Sequence, residues 1–289
     1  MAEPTHLDLT APGTLVPLLQ QHGFHTSKGL GQHFLISRKV LEAIVNGCEL
    51  ESGLPVLEIG PGVGTVTREL AERGATVSAV ELDTRALAVL QDTVGEFPAV
   101  TLIHGDILAI DLPSVLDDQQ WTVVGNLPYY ITTPVISKIL ELGHRVQRAV
   151  FMIQREVADR LASEPGSKVY GALSVYAQVY ATIERIVRVP PGAFLPPPSV
   201  ESAVVRLNIR PEPLVPDEIR ELFFSVVRAA FGQRRKTLGN ALAGGKILGG
   251  DRALVDEAIT AAGISPSRRG ETLDIAEFRK ISEEVASRL

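Results

Sequence analysis

Four positions in this chain of 289 residues put a chemistry-bearing residue at the end of an apolar, β-branched run. Gly60 lies in the string Glu58-Ile59-Gly60-Pro61-Gly62-Val63-Gly64-Thr65. Glu81 ends the next run, 21 residues after Gly60. Asp106 follows the third in Gly105-Asp106-Ile107, and Asn126 follows the fourth in Asn126-Leu127-Pro128-Tyr129-Tyr130. A glycine-rich turn between strand and helix lets backbone approach a ligand closely, because no Cβ intervenes. A dinucleotide site asks for G-x-G-x-x-G. Here Thr65 stands at the third glycine's place and the last glycine comes one step early, at Gly64, so a pyrophosphate is not supported. A carboxylate placed as Glu81 is can accept from both ribose hydroxyls, and Asp106 from an exocyclic adenine amine. A nucleoside cofactor without a diphosphate, in a carboxylate-rich cleft, points to S-adenosylmethionine, whose sulfonium is positively charged.

The Asn126 loop suits an aromatic exocyclic amine as methyl acceptor. The lone pair of adenine N6 is delocalised into the ring, so the amine is a poor nucleophile. The Asn126 side-chain oxygen and a neighbouring backbone carbonyl can accept its two N–H bonds, holding the nitrogen in line with the methyl group. Positioning and electrostatics then do most of the catalysis, and no strong base is required. Pro128 restrains Leu127 to an extended conformation that presents its carbonyl. Tyr129 offers a π-face for a base, worth roughly 1–3 kcal/mol.

These groups need a scaffold that brings strand ends together. Apolar strands are expected at 55–59, 75–81, 100–104, 121–125 and 148–154, with helical patterns at 64–73, 84–94 and 132–142 between most of them. Such alternation indicates βαβ units and a parallel sheet covered on both faces. Strands near 183–189 and 200–209 flank Pro190–Pro198, a proline-rich stretch expected to be a rigid loop without ladder donors. Two helices, 13–22 and 37–47, precede the sheet, joined by a turn at Gly29–Gly31. After Arg210, Pro211, Pro213 and Pro216 mark a linker, and 217–231, 236–243, 251–262 and 274–288 read as short amphipathic helices. The expected organisation is a doubly wound, mostly parallel α/β domain over 1–210 and a small all-helical domain over 211–289.

Composition narrows the classes further. With 45% hydrophobic and 21% charged residues the chain is an ordinary globular one. No run of about 18 apolar residues and no basic leader is present, so neither a membrane span nor a secretory signal is expected. The single Cys48 excludes a disulfide framework and a multi-cysteine metal site, and fits a reducing cytoplasm. The net charge of −6 is uneven. Residues 1–209 hold 15 Lys and Arg against 22 Asp and Glu, a net of −7, whereas 210–289 hold 13 against 12. A polyanion would therefore meet a local basic patch, and the candidates are Arg228, Arg234-Arg235-Lys236 and Arg268-Arg269.

Several motifs occur in one order: Lys28-x-x-Gly31-Gln32-His33-Phe34-Leu35, the Glu58–Gly64 turn, Asn126–Tyr129 with Thr132-Thr133-Pro134, Phe194-Leu195-Pro196-Pro197-Pro198-Ser199-Val200, and Phe231–Leu238. In these the chain, over roughly 24–289, resembles the ribosomal RNA adenine dimethyltransferases that act on the small subunit. The resemblance implies a Rossmann-like class I methyltransferase fold. His33, Leu35, Gly60, Glu81 and Asp106 would bind S-adenosylmethionine, and Asn126 would lie between cofactor and target. Leu127, Pro128 and Tyr129 would complete the catalytic loop, with Phe194 closing on the base from its other side. His33 stands where many relatives have Asn, and Tyr130 where many have Asn or His. The implied partner is 16S rRNA in the small subunit or its assembly intermediate, and the implied targets are two adjacent adenines near its 3′ end. A cytoplasmic monomer without metal is expected. The alternatives are the macrolide-resistance type of 23S rRNA methyltransferase and a non-catalytic assembly factor. The Phe194–Pro198 and Gln233–Leu238 segments favour the small-subunit type, and the intact Asn126–Tyr129 loop favours catalysis.

Overall fold

Residues 7–23, 33–50 and 55–289 are described by the computed structural model. The Lys28–Gln32 motif and the Gly29–Gly31 turn lie outside the described residues. The strands are β1 (Phe34–Leu35), β2 (Pro55–Ile59), β3 (Thr76–Glu81), β4 (Val100–His104), β5 (Trp121–Asn126), β6 (Val146–Gln154), β7 (Ala181–Val189), β8 (Phe194–Leu195) and β9 (Ser202–Ile209). Seven of them form one sheet in the order β4-β3-β2-β5-β6-β9-β7. β2 pairs in parallel with β3 and β5, β3 with β4, and β5 with β6, while β9 returns antiparallel to β6. The chain thus moves outward from β2 to β4 and then resumes at β5 on the other side of β2. This reversal leaves a crevice beyond the carboxyl ends of β2 and β5, where open α/β sheets take their ligands.

All five residues of β2 are buried, as a central strand covered on both faces requires. Val56, Val77, Ala79, Val124 and Val150 share a core with Leu41, Ile44 and Val45 of helix Arg38–Gly47 and with Leu70 of helix Thr65–Glu72. The turn after β2 depends on glycine at three places: φ is +66° at Gly60, +60° at Gly62 and +87° at Gly64. Gly64 is also a contact. A Cβ there would meet Thr93 Oγ1 at 2.9 Å, Leu90 Cδ2 at 3.0 Å and Val94 Cγ1 at 3.1 Å. The glycine that comes one step early in the sequence is thus the one that lets helices Thr65–Glu72 and Thr84–Val94 approach. The Thr93 hydroxyl donates to the Val63 carbonyl across the same junction.

Pro190–Pro198 departs from the expected loop. Phe194 and Leu195 retain N–H groups between the flanking prolines and form β8, antiparallel to β1, with Phe34 opposite Leu195 and Leu35 opposite Phe194. The division of the chain also differs from the sequence expectation. One compact unit comprises 1–158 with 183–210; the other comprises 159–182 with 211–289. The break at Pro211 is where the prolines place it. Segment 159–182 joins the helical unit through aromatic contacts, since Tyr176 and Tyr180 lie 5.0 and 6.1 Å from the Phe224 ring and Tyr170 meets Phe231 edge-on. The helical unit contains Asp217–Gly232, Leu238–Gly244, Arg252–Ala261 and Ile275–Ala286. Asp251 caps the third of these, and Asp274 with Glu277 forms a capping box on the fourth.

Gly64→Ala forces both a left-handed backbone on a residue with a Cβ and an overpacked helix contact. It should lower the unfolding free energy by about 1–3 kcal/mol. Gly60→Ala, where a Cβ meets nothing within 4 Å, should cost less. Urea denaturation of both variants checks the order, and equal midpoints would refute the packing role of Gly64.

Candidate active site

The parallel register brings the ends of β2, β3 and β5 to one edge of the sheet. Gly60 continues from β2 and donates its N–H to the Val80 carbonyl of β3 at 2.9 Å. Glu81, the last residue of β3, reaches back across the turn. Its Oε2 accepts from the Gly62 N–H at 3.1 Å and its Oε1 from the Asp83 N–H at 2.8 Å. Burial raises the Glu81 pKa, and backbone N–H bonds from Asp83, Gly62 and Leu82 oppose the shift. Each oxygen keeps a lone pair for a ligand hydroxyl. Asp106 accepts from the Leu108 N–H at 2.8 Å, which fixes the turn after β4.

Asn126 closes β5. Its Nδ2 donates to the His33 backbone carbonyl at 3.1 Å. That bond orients the amide and leaves Oδ1 as its acceptor. The Leu127 N–H donates to the Met152 carbonyl at 3.1 Å, so of its peptide groups only the carbonyl is left for a ligand. The Pro128 carbonyl accepts from Ile131 N–H and the Thr132 hydroxyl, which folds the loop into the start of helix Thr132–Leu140.

His33 ties these parts together. Its Nδ1 donates to the Pro196 carbonyl at 2.7 Å. Its ring stacks on Tyr129, with centroids 6.3 Å apart and planes at 25°, and meets Phe194 edge-on at 6.4 Å. The Tyr129 hydroxyl shares a 2.8 Å hydrogen bond with Ser202.

A single cavity is lined by His33, Leu35, Gly60, Glu81, Asp106, Asn126 and Pro128 from the expected set. Leu127, Tyr129 and Phe194 do not line it. Leu127 is buried, and Phe194 is 3% exposed within the core that holds Leu35 and Val124. Tyr130, which is 61% exposed, lines it together with Phe34. Glu58, Asp83 and Met152 also line it and were not singled out in the sequence. Glu58 lies inside an apolar run, where its acidity was the only signal. Asp83 was legible as a helix cap, which it is, accepting from Arg85 N–H.

Among the lining residues four carry carboxyl groups, Glu58, Glu81, Asp83 and Asp106, and none is Lys or Arg. The cavity therefore favours a cation. The Asp83 charge is balanced by Arg85, 2.7 Å away. Cys48 is no nucleophile: burial, with the nearby Glu58 charge adding to it, pushes the thiol up to about 12. Among the described residues no three His, Cys, Asp or Glu are grouped as metal ligands. None of the described helices is long and apolar enough to cross a membrane.

In the helical unit the basic residues divide by role. Arg234 donates to the carbonyls of Lys168 at 3.1 Å and Tyr170 at 2.6 Å and stands 3.6 Å from Glu271. Arg268 holds Glu277 with two guanidinium nitrogens. Both are structural ties and leave the expected basic face. Arg228, Arg235, Lys236, Lys246 and Arg269 are exposed. Arg228 donates to the Ser225 hydroxyl at 2.9 Å and lines a shallow cleft with Gln233, Gly245 and Ile247.

Residues 23–286 match the family model described as ribosomal RNA adenine dimethylase. A protein of Geobacillus thermodenitrificans named ribosomal RNA small subunit methyltransferase A is 44% identical over 283 residues, which cover 96% of this chain and 97% of that one. The protein of the same name from Alkaliphilus oremlandii is 42% identical over 285 residues, covering 97% and 99%. Among solved structures, the 23S rRNA methyltransferase ErmE superposes with a TM-score of 0.70 at 28% identity, covering 88% of this chain and 99% of that one. A dimethyladenosine transferase from Plasmodium falciparum shares the fold, with a TM-score of 0.72 at 22% identity over 86% and 96% of the two chains. The match over nearly the whole length, together with the oriented amide and the carboxylate-lined crevice, places this chain in the ribosomal RNA adenine dimethylase family.

Proposed function

We propose that this chain transfers methyl groups from S-adenosylmethionine to N6 of two adjacent adenines near the 3′ end of 16S rRNA. It would act on the small ribosomal subunit or its assembly intermediate, in the cytoplasm, during ribosome biogenesis. The observation that carries this reading is the Asn126 amide, oriented by the His33 carbonyl and lining one cavity with Glu81 and Asp106. Relatives named for the small subunit are 42–44% identical, against 28% for the solved 23S enzyme, which favours the small-subunit reading over the large.

The cavity fits the cofactor on its own chemistry. Glu81, Asp83 and Asp106 without a lining Lys or Arg suit a positively charged ligand, and the turn at Gly60 leaves open space where a Cβ would stand. Glu81 and Asp106 would hold the ribose and the adenine. The amides at the head of helix Thr65–Glu72 suit its carboxylate. When bound, the cofactor supplies an electrophilic methyl on a sulfonium.

Catalysis by this chain is then a matter of orientation. The Asn126 Oδ1 and the Leu127 carbonyl would accept the two N6–H bonds and turn the nitrogen lone pair toward the methyl. As the new C–N bond forms, N6 becomes positively charged and these two dipoles stabilise it. The proton then leaves to solvent. A second transfer consumes the remaining N–H, so the reaction stops at two methyl groups. Tyr129 is held in one orientation by Ser202 and His33, which lowers the entropy cost of stacking on a flipped base. The helical unit would dock rRNA phosphates through Arg228, Arg235, Lys236, Lys246 and Arg269.

The direct test is incubation with labelled S-adenosylmethionine and unmodified small and large subunits, followed by mapping of the product. Label in two adjacent small-subunit adenines is expected. Label in the large subunit, or none in either, would overturn the reading. Glu81→Gln should weaken S-adenosylmethionine binding about tenfold in calorimetric titration, because a charged acceptor of hydrogen bonds becomes neutral. Asn126→Ala should reduce the single-turnover methylation rate about a hundredfold or more, by analogy with loss of one dipole from a preorganised site. RNA affinity should stay within about threefold, since phosphate contacts dominate it. Replacing Arg228, Arg235 and Lys236 together by Ala should flatten log K against log[salt] by roughly two to three units. Arg234→Ala should instead lower the melting temperature, as its carbonyl ties are lost.

A further inference from the structure

Tyr130 is the only exposed aromatic side chain among the described residues. The other four tyrosines are engaged. Tyr129 is bonded to Ser202 and stacked on His33, Tyr170 meets Phe231, and Tyr176 and Tyr180 pack on Phe224. The Tyr130 side chain has neither a ring contact nor a hydrogen bond among the described residues. A single exposed apolar residue is ordinary on a protein surface. This one stands at the mouth of the cavity, where Leu82, also exposed, and Ile131 line it as well.

The ring is carried on a fixed backbone. Tyr129 and Tyr130 are the central residues of a turn closed by the Ile131 N–H on the Pro128 carbonyl at 3.1 Å, and helix Thr132–Leu140 follows at once. Their Cα atoms are about 3.8 Å apart, yet the two side chains have different surroundings. Tyr129 is half-buried and tied to Ser202 at the start of β9, whereas Tyr130 stands in solvent. One turn thus carries an inner and an outer aromatic ring.

The lip is ill suited to phosphate. Glu81, Asp83 and Asp106 line the cavity, and no Lys or Arg does. Lys138, the one charged residue within helix Thr132–Leu140, directs its ammonium to the carbonyls of Leu108, at 3.0 Å, and Ile110. What the lip offers is an uncharged π-face, and in a nucleic acid the group that matches such a face is a base.

We propose that Tyr130 is a substrate-binding residue whose ring stacks on the base next to the flipped adenine. This rests on the reading of the cavity as the site of adenine methylation. Drawing an adenine out of its strand takes a stacking partner from its neighbours. The target enters toward Tyr129, and a base one nucleotide away is left at the mouth with a bare face. The ring one residue further along the same turn covers that face. Tyr130 thereby offsets part of the unstacking, and it does so whatever the neighbouring base, since every base has a π-face.

The test is the initial rate of methyl transfer by the full chain from labelled S-adenosylmethionine to unmodified small subunits, over a range of subunit concentrations. Tyr130→Ala should raise KM for subunits about tenfold and leave kcat within about threefold, the pattern of a contact made equally before and during the chemical step. Tyr130→Phe keeps the ring and should restore KM. Tyr130→Leu keeps apolar bulk without a π-face and should not. In equilibrium binding of subunits, Tyr130→Ala should lower log K by about one at every salt concentration and leave the slope unchanged, because no phosphate contact is lost. Its melting temperature and its calorimetric affinity for S-adenosylmethionine should match those of the parent. A parental KM in Tyr130→Ala would overturn the inference alone. So would recovery by Leu as full as by Phe, the mark of an apolar contact with a protein, or a slope flattened by about one unit, the mark of a phosphate contact. Weakened S-adenosylmethionine binding in Tyr130→Ala would also overturn it, by placing the ring against the cofactor. A parent that labels no small subunit overturns the proposed function, and this inference with it.

Discussion

The parallel pairing of β2 with both β3 and β5 is the constraint on which the site depends. Ile59 lies opposite Val80 on one side and Gly125 on the other, so Gly60, Glu81 and Asn126 each follow within one residue of the same level. Parallel strands end on the same edge, and the reversal of strand order at β2 leaves that edge open. Slipping either pairing by one residue would turn alternate side chains to the other face of the sheet. It would separate the glycine turn from the carboxylate that accepts its N–H. Local chemistry is thus secured by backbone ladders, which are stiffer than any side-chain contact.

Electrostatics divides the molecule's work. The cavity gathers four carboxyl groups and suits a cation; the helical unit exposes cationic side chains suited to phosphate. An acidic catalytic unit gains nothing from holding RNA broadside. A neutral, π-rich base is matched better by amide and carbonyl dipoles, such as those of the Asn126 loop, than by charges. The same low-dielectric setting that strengthens those dipoles makes the lone Glu58 carboxyl costly.

His33 shows how few residues link the elements. Through its carbonyl, its Nδ1–H and its ring it joins β5, the Pro196 turn and Tyr129. None of these partners is near it in sequence: Asn126 is 93 residues away and Pro196 is 163. Removing the imidazole would leave the Pro196 carbonyl unpaired and Tyr129 without its stacking partner, so orientation in the Asn126–Tyr130 loop depends on a residue outside that loop.

Much of this was legible locally. Alternating apolar runs and amphipathic helices announced the sheet, the glycine string its first turn, and the prolines after Arg210 a unit boundary. These features are written in hydrophobic periodicity and backbone freedom, which act over a few residues. That Glu81, Asp106 and Asn126 stand at or just beyond strand ends was readable because the apolar runs stop there. What tertiary structure alone decided is the partner of each side chain. It buried Phe194 in a core instead of the cavity, placed Tyr130 at the opening, and tied Arg234 and Arg268 to the helical unit. It drew 159–182 to that unit by aromatic packing and left Glu58 buried with an oxygen unpaired. Burial and charge pairing are set by residues distant in sequence, so identity and spacing mark a residue as able to do chemistry, and only the folded contacts settle whether it is free to do it.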